Sequence, residues 1–170
     1  YARDLLDYGA RKLPFTYPPF AALLFVPFTL MPKEVGMALM MLITAGIAWW
    51  LGWVITRYVS RRGVRIPLYE HLGTAGCAST LALLIWASGP WRLTTHFGQI
   101  NAVILLLVLA DFLRPATRVP RGVLIGIAGG IKLTPLAFGL ILLMRKDWRG
   151  VASVAGGFVG TIALGFLAVP

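Results

Sequence analysis

Gly122-Val123-Leu124-Ile125-Gly126-Ile127-Ala128-Gly129-Gly130-Ile131-Lys132-Leu133-Thr134-Pro135-Leu136-Ala137-Phe138-Gly139-Leu140-Ile141-Leu142-Leu143-Met144 is apolar apart from one cation and one threonine–proline step. A run of that length can cross hydrocarbon as one helix. It can also enter and return as two half-length helices, Gly122 to Ile131 and Pro135 to Met144, turning at Lys132-Leu133-Thr134. The second reading is favoured on three grounds. Pro135 disfavours helical angles at Thr134. Gly129-Gly130 weakens the helix just before the turn. Basic residues flank the segment on both sides, at Arg121 and at Arg145, Lys146 and Arg149, and a straight span would leave one of those flanks outside.

Outward from this segment the same pattern repeats. Val151 to Val169 is a further apolar run. On the other side lie Pro18 to Met31, Val35 to Tyr58, Leu72 to Ser88 and Ile100 to Leu113. Pro18 to Met31 would make a helix of about 20 Å, short of the roughly 30 Å hydrocarbon core, so it is expected to lie at the interface. Three basic clusters, Arg57 to Arg65, Arg114 to Arg121 and Arg145 to Arg149, hold ten of the sixteen lysines and arginines. All three fall on the cytoplasmic side if Pro18 to Met31 does not cross and Gly122 to Met144 returns. Residues 1–17, the loop Gly89 to Gly98 and the hairpin tip then face outward. Short helices with polar tips on one side imply a cavity open toward the outer leaflet. Gly122, Gly126 and Gly130, and likewise Ala152, Gly156 and Gly160, recur every four residues and are expected to let helix backbones approach closely.

The composition agrees: 58% of residues are hydrophobic and 13% charged, with a mean hydropathy of +0.80. The class is all-α, a polytopic transmembrane helix bundle. The formal charge of +10 is spread over the gaps between apolar runs rather than gathered in one stripe, so nucleic acid is not an expected partner. Cys77 lies in an apolar segment and reads as a small buried filler. The chain opens at Tyr1 without methionine and stops at Pro170 directly after an apolar run, which is expected of a piece of a longer protein.

The polar residues inside this pattern carry the chemistry. A cation as deep as Lys132 costs about 2.5 to 3.5 kcal/mol on insertion scales, so it must reach water, a carboxylate or a bound anion; the alternative is that it snorkels to an interface. Arg92 and His96, in the second outer loop, suit a phosphate, and Gln99 and Asn101 suit sugar hydroxyls. His96 is also a candidate acid or base, histidine being the side chain suited to that role near neutral pH. The bland reading of that loop is a surface that faces headgroups. Asp111 lies three residues before Arg114 and reads as an ordinary helical ion pair. Asp4 and Asp7 sit among Arg3, Arg11 and Lys12 as solvated charges. No metal-ligand cluster, phosphate loop or catalytic carboxylate pair is visible.

Three motifs in order, Leu13-Pro14-Phe15-Thr16-Tyr17-Pro18-Pro19-Phe20-Ala21, Gly98-Gln99-Ile100-Asn101 and Gly126-Ile127-Ala128-Gly129-Gly130-Ile131-Lys132-Leu133-Thr134-Pro135, resemble the family 87 glycosyltransferases. These are actinobacterial membrane enzymes of the C-type glycosyltransferase fold that use a polyprenyl-phosphate sugar, typically the mannose, as donor. The resemblance implies a donor phosphate held by Lys132 with Arg92 and His96, donor or sugar contacts from Gln99, Asn101 and Tyr17, and a polyprenyl tail along an apolar groove. The family's catalytic aspartate is expected upstream of the Tyr-Pro-Pro stretch, before Tyr1, so that role is not carried onto Asp4 or Asp7.

The expected activity is that of an α-1,2-mannosyltransferase. It would move mannose from polyprenyl-phosphate mannose to a cell-envelope glycolipid or lipoglycan, inverting the anomeric carbon, at the outer side of the plasma membrane. No soluble cofactor is expected, and the role of a divalent metal stays open. A polyprenyl-phosphate-dependent arabinofuranosyltransferase is the near alternative. A transporter or lipid flippase is the alternative of another class, since broken helices and a mid-membrane lysine occur there too; one interrupted segment and no repeat in these 170 residues count against it. A structural subunit whose partner supplies an acid for Lys132 is the third.

Overall fold

The computed structural model describes residues 17–64, 67–114 and 118–168, with backbone alone at 67–69. Expectations for Tyr1 to Thr16 (the outer segment, Asp4 and Asp7, and the start of the first motif), Arg65 and Val169 lie outside those residues. Every regular element among the described residues is helical: α1 (Pro19–Thr29), α2 (Lys33–Arg61), α3 (Pro67–Ala87), α4 (Gly89–His96), α5 (Asn101–Leu113), α6 (Val123–Ile131), a 3-10 helix (Thr134–Phe138), α7 (Gly139–Met144) and α8 (Trp148–Ala168). Helices α2 and α8 are long and apolar enough to cross a membrane, and α3 with α4 makes a third span if the bent pair is counted as one. Large apolar side chains such as Leu42, Leu83, Leu164 and Phe166 stand exposed, which suits lipid rather than water as the solvent. This is a polytopic helical membrane protein.

The chain divides into two compact units, a central one over Pro27–Leu113 and a flanking one from the segments on either side. In the central unit α2 packs chiefly on α3. Its buried face, Thr44, Ile47, Ala48, Leu51, Gly52 and Thr56, follows the three-and-four spacing of one helix side. Gly52 lies so close to the Ala78 carbonyl that a Cβ would overlap it. Cys77 and Ala78 are buried beside it, so Cys77 is the small filler its setting suggested. The Thr44 and Thr56 hydroxyls donate to the carbonyls of Met40 and Gly52 at 2.7 and 2.8 Å, which satisfies them where no water competes. At the far end of α2 the Arg57 and Arg62 guanidinia lie over Trp53 and Tyr58, 4.6 and 4.7 Å from the ring centroids, as cations and aromatics do at a membrane surface.

Gly89 to Gly98, expected as a loop, is mostly the helix α4, bent 74° from the helix before it. Pro90 explains the difference: it occupies the first turn, where its fixed φ suits a helix and its missing N–H costs nothing. Trp91 of α4 joins Ile47, Ala48, Leu51 and Ala102 in a buried apolar cluster. α3 is itself broken at Gly73, whose φ of 62° and ψ of −170° no other residue type adopts easily.

The flanking unit is built on α6 against α8. A Cβ on Gly122 would overlap the Gly150 carbonyl, one on Gly126 the Val154 carbonyl, and one on Gly130 the Thr161 side chain. The α6 glycines therefore bring the backbones together. On α8 the expected set does not. Gly156 and Gly160 have nothing near them and Ala152 is exposed, while the packed face is Gly150, Val154, Thr161 and Gly165. Small residues at four-residue spacing permit close approach, but Val154 and Thr161 decide which side is turned inward.

Those contacts also fix direction. From Gly122 to Gly130 the partners on α8 advance from Gly150 to Thr161, whereas Gly139 meets Val154 and Leu142 lies beside Gly150. The chain runs alongside α8 in α6 and comes back against it in α7. The break falls at Lys132, which is extended (φ −151°, ψ 133°), with Leu133 already at right-handed helical angles and Thr134 opening the 3-10 helix. Thr134, not Lys132, was the residue expected to leave helical angles, because it precedes Pro135. A 3-10 first turn accepts the proline, and the extended residue moves two positions earlier.

Candidate functional site

A cavity of about 380 Å³ opens at the top of this reversal, lined by Tyr17, Pro18, Lys132, Leu133 and Thr134. The ending of α6 places Lys132 there: its backbone N–H closes the last helical turn on the Ala128 carbonyl at 3.0 Å, and its extended angles then turn the chain away. Tyr17 reaches the same cavity from just before α1. Gly165 of α8 allows this, since a Cβ there would press on Pro19 and the Phe20 amide. The Tyr17 ring packs edge-on against Phe25, with centroids 6.5 Å apart. Burial pushes the phenol above its ordinary value of 10.0, so near neutral pH it is a hydroxyl donor.

The lining thus offers one cation, two hydroxyls and the apolar faces of Pro18 and Leu133, with no acid among the five. That donor set suits an anion whose other end is aliphatic or carbohydrate. Among the described residues no group of three or more histidines, cysteines or carboxylates could hold a metal ion.

The other sequence candidates lie in the central unit. Arg92 and His96 are four residues apart on α4, both exposed, which places them on one helix face. The His96 ring stands edge-on to Phe97 at 5.1 Å. Gln99 and Asn101 meet each other: the Asn101 amide donates to the Gln99 Oε1 at 2.6 Å, and the Gln99 backbone N–H donates to the Thr94 carbonyl at 2.9 Å. Part of their hydrogen-bonding capacity goes into tying α4 to α5. The structure therefore brings together Tyr17 with Lys132, Arg92 with His96, and Gln99 with Asn101.

Three cavity residues were not singled out as site residues by sequence: Pro18, Leu133 and Thr134. The signal was present in the Tyr-Pro-Pro and Thr-Pro steps, whose prolines end or start helices and so expose the residues beside them. Asp111, read from sequence as half of a helical pair with Arg114, is only 1% exposed, and the Arg114 guanidinium also donates to the Pro120 carbonyl.

Comparison with known proteins follows the same lines. The model of glycosyltransferase family 87 matches residues 15–170. The chain is 36% identical over 174 residues to a polyprenol-phosphate-mannose-dependent alpha-(1-2)-phosphatidylinositol pentamannoside mannosyltransferase of Mycolicibacterium smegmatis, covering 99% of this chain and 38% of that protein. It is 32% identical over 162 residues to a polyprenol-phosphate-mannose-dependent alpha-(1-2)-phosphatidylinositol mannoside mannosyltransferase of Mycobacterium tuberculosis, covering 92% of this chain and 37% of that one. The chain thus spans less than two-fifths of the length of these relatives. No solved structure gives a significant match.

Proposed function

The chain belongs to glycosyltransferase family 87, and on that premise we propose that its protein transfers mannose from polyprenyl-phosphate mannose to a cell-envelope glycolipid. The observation that carries this reading is the cavity that joins Lys132 to the Tyr17 and Thr134 hydroxyls. A lipid-linked sugar phosphate needs a cation for its phosphate, hydroxyl donors for the bridging and terminal oxygens, and apolar surface for the start of its tail.

In the reaction an acceptor hydroxyl oxygen attacks the anomeric carbon while the bond from that carbon to the phosphate oxygen breaks. The hydroxyl proton passes to a carboxylate base outside the described residues, and polyprenyl phosphate departs with the bonding electrons. Lys132 gains most as that charge develops, because an interaction that strengthens toward the transition state lowers the barrier. Tyr17 and Thr134 donate to the same oxygens. In the central unit, Arg92 and His96 share one exposed helix face that suits a phosphate, and Gln99 and Asn101 suit sugar hydroxyls. The attack is in line, so the anomeric carbon inverts, and an α-1,2 linkage is the product this reading expects. The relatives' names favour mannose over arabinofuranose and a phosphatidylinositol mannoside as acceptor.

The α6–α7 reversal is read as a re-entrant hairpin whose tip opens on the outer side of the membrane. Both of its ends then lie with the basic clusters on the cytoplasmic side. The test is transfer of radiolabelled mannose from polyprenyl-phosphate mannose by the full-length protein in membranes, wild type beside Lys132→Ala. A fall of about tenfold or more at unchanged expression and unfolding temperature is expected. Transfer untouched by the substitution would remove the phosphate from this cavity. No transfer from any polyprenyl-phosphate sugar by folded wild type would turn the reading toward a transporter.

A further inference from the structure

At the opposite end of the flanking unit from Lys132 the packing gathers a second set of cations. Gly122 sits against Gly150, and Leu142 lies against Gly150 as well. The start of α6, the end of α7 and the start of α8 therefore share one end, and with them Arg121, Arg145, Lys146 and Arg149. All four are exposed. The one acid in this part of the sequence, Asp147, is engaged in capping α8, accepting the Gly150 N–H at 2.9 Å. Trp148, between the cations, is 66% exposed, and an indole with one polar edge prefers the membrane–water boundary. Since α8 is a candidate span that begins at Trp148, this end lies at a membrane surface.

The backbone adds a separate observation. The α7 terminus is a Schellman motif: the Asp147 N–H bonds the Leu142 carbonyl at 3.0 Å and the Lys146 N–H bonds the Leu143 carbonyl at 2.9 Å. The residue such a motif places in the left-handed region is usually glycine, yet here it is Lys146, with φ of 56°. A side chain is present where folding alone favours none.

We infer that this end of the flanking unit is a docking site for the phosphate headgroup of an anionic phospholipid, held by Arg121, Arg145, Lys146 and Arg149 with Trp148 at the boundary between headgroups and acyl chains. Charge complementarity selects the occupant. Four cations face outward beside an apolar helix end, and a lipid phosphate is the anion present at that depth at high local concentration. The guanidinia take phosphate oxygens in pairs, and the lysine adds a point charge. A soluble polyanion would gain nothing from the adjoining apolar surface.

The test uses full-length protein in nanodiscs of phosphatidylcholine with a minority of phosphatidylglycerol, following association of spin-labelled versions of both lipids. The readout is lipid association, not sugar transfer, so its failure and that of the proposed activity are distinguishable. Wild type is expected to hold phosphatidylglycerol over phosphatidylcholine, with the preference falling about fivefold per cation removed at low salt. Lys146→Gly should lower that preference while its unfolding temperature rises or holds. Arg121→Gln/Arg145→Gln/Arg149→Gln should lower it further, and the triple lysine replacement should restore it. Unchanged preference in Lys146→Gly and in the glutamine triple would overturn the inference. So would loss of the preference on adding inorganic phosphate but not on adding sodium chloride of equal ionic strength, because the site would then take a free anion and not a headgroup.

Discussion

At one end of the α6–α7 reversal a single cation, Lys132, is half-buried on a cavity with two hydroxyls. At the other, Arg121, Arg145, Lys146 and Arg149 stand exposed beside Trp148. The chemistry of the side chains is nearly the same, and their settings are opposite. A half-buried cation keeps its field because little water screens it, whereas exposed cations work only as a group and weaken with salt. The residue type alone does not distinguish a substrate site from an anchor. What does is whether the chain is forced to bring it into a cavity, as the extended break at Lys132 does, or leaves it exposed at a helix end.

The two ends are held apart by the α6–α8 contact, so the largest effect should come from breaking that contact. Gly126→Leu would drive a side chain into the Val154 carbonyl and should destabilise the protein by about 3 kcal/mol or more, taking sugar transfer with it. Gly156→Leu and Gly160→Leu, in open space on the other side of α8, should not destabilise the protein, each gaining up to about 1 kcal/mol from the loss of a mid-helix glycine. Thermal unfolding in detergent reads all three. Equal damage from the two sets would mean that α8 packs by the face read from its four-residue spacing.

Next in size is the separation of function between the ends. Lys132→Ala should cost transfer about tenfold or more, while Arg149→Gln should leave it within about twofold. Initial rates at saturating donor settle this, and a comparable loss in both variants would dissolve the distinction drawn here.

Most of the helices could be read from sequence because each is a long apolar run ended by arginine, proline or glycine. The reversal could be read because a cation, two glycines and a proline fall together. What was not legible depended on neighbours. The helix over Gly89–His96 was hidden by its mixed polarity, since its buried residues are only Trp91 and Thr94. The inward face of α8 was hidden because small residues occur on both sides of it. Thr134 and Leu133 could be placed in a turn, but only the approach of Tyr17 from before α1 makes that turn the wall of a cavity. The burial of Asp111 lies in packing that no local pattern encodes.

Smaller effects are expected from the hydroxyls of the cavity. Tyr17→Phe and Thr134→Val each remove one donor to an anion, worth about 1 kcal/mol, and should slow transfer roughly fivefold. The pH response separates them. Because burial raises the Tyr17 phenol above 10.0, its contribution to stability is complete below 10.0 and is lost as pH rises through the higher folded value. Tyr17→Phe should abolish that alkaline loss and Thr134→Val should retain it, as followed by unfolding temperature against pH. An alkaline transition unchanged in Tyr17→Phe would assign it to another group.

The smallest effect tests the backbone at each end. Lys146 is held at φ 56° and Lys132 at φ −151°. Only the first lies in the left-handed region, where a Cβ costs about 1 to 2 kcal/mol. Lys146→Gly should therefore stabilise by roughly 0.5 to 1 kcal/mol after the extra freedom of an unfolded glycine is subtracted. Lys132→Gly has no such strain to relieve and should be less stable than Lys132→Ala, which removes the same charge, by about 1 kcal/mol from that same freedom. Measured side by side by thermal unfolding, opposite signs would mean that the chain tolerates strain at the exposed end to keep a charge there, and adopts an ordinary extended angle at Lys132 to reach the cavity. Lys132→Gly more stable than Lys132→Ala would show that the break at Lys132 is strained as well, and that its extended geometry is imposed by the packing of α6 on α8.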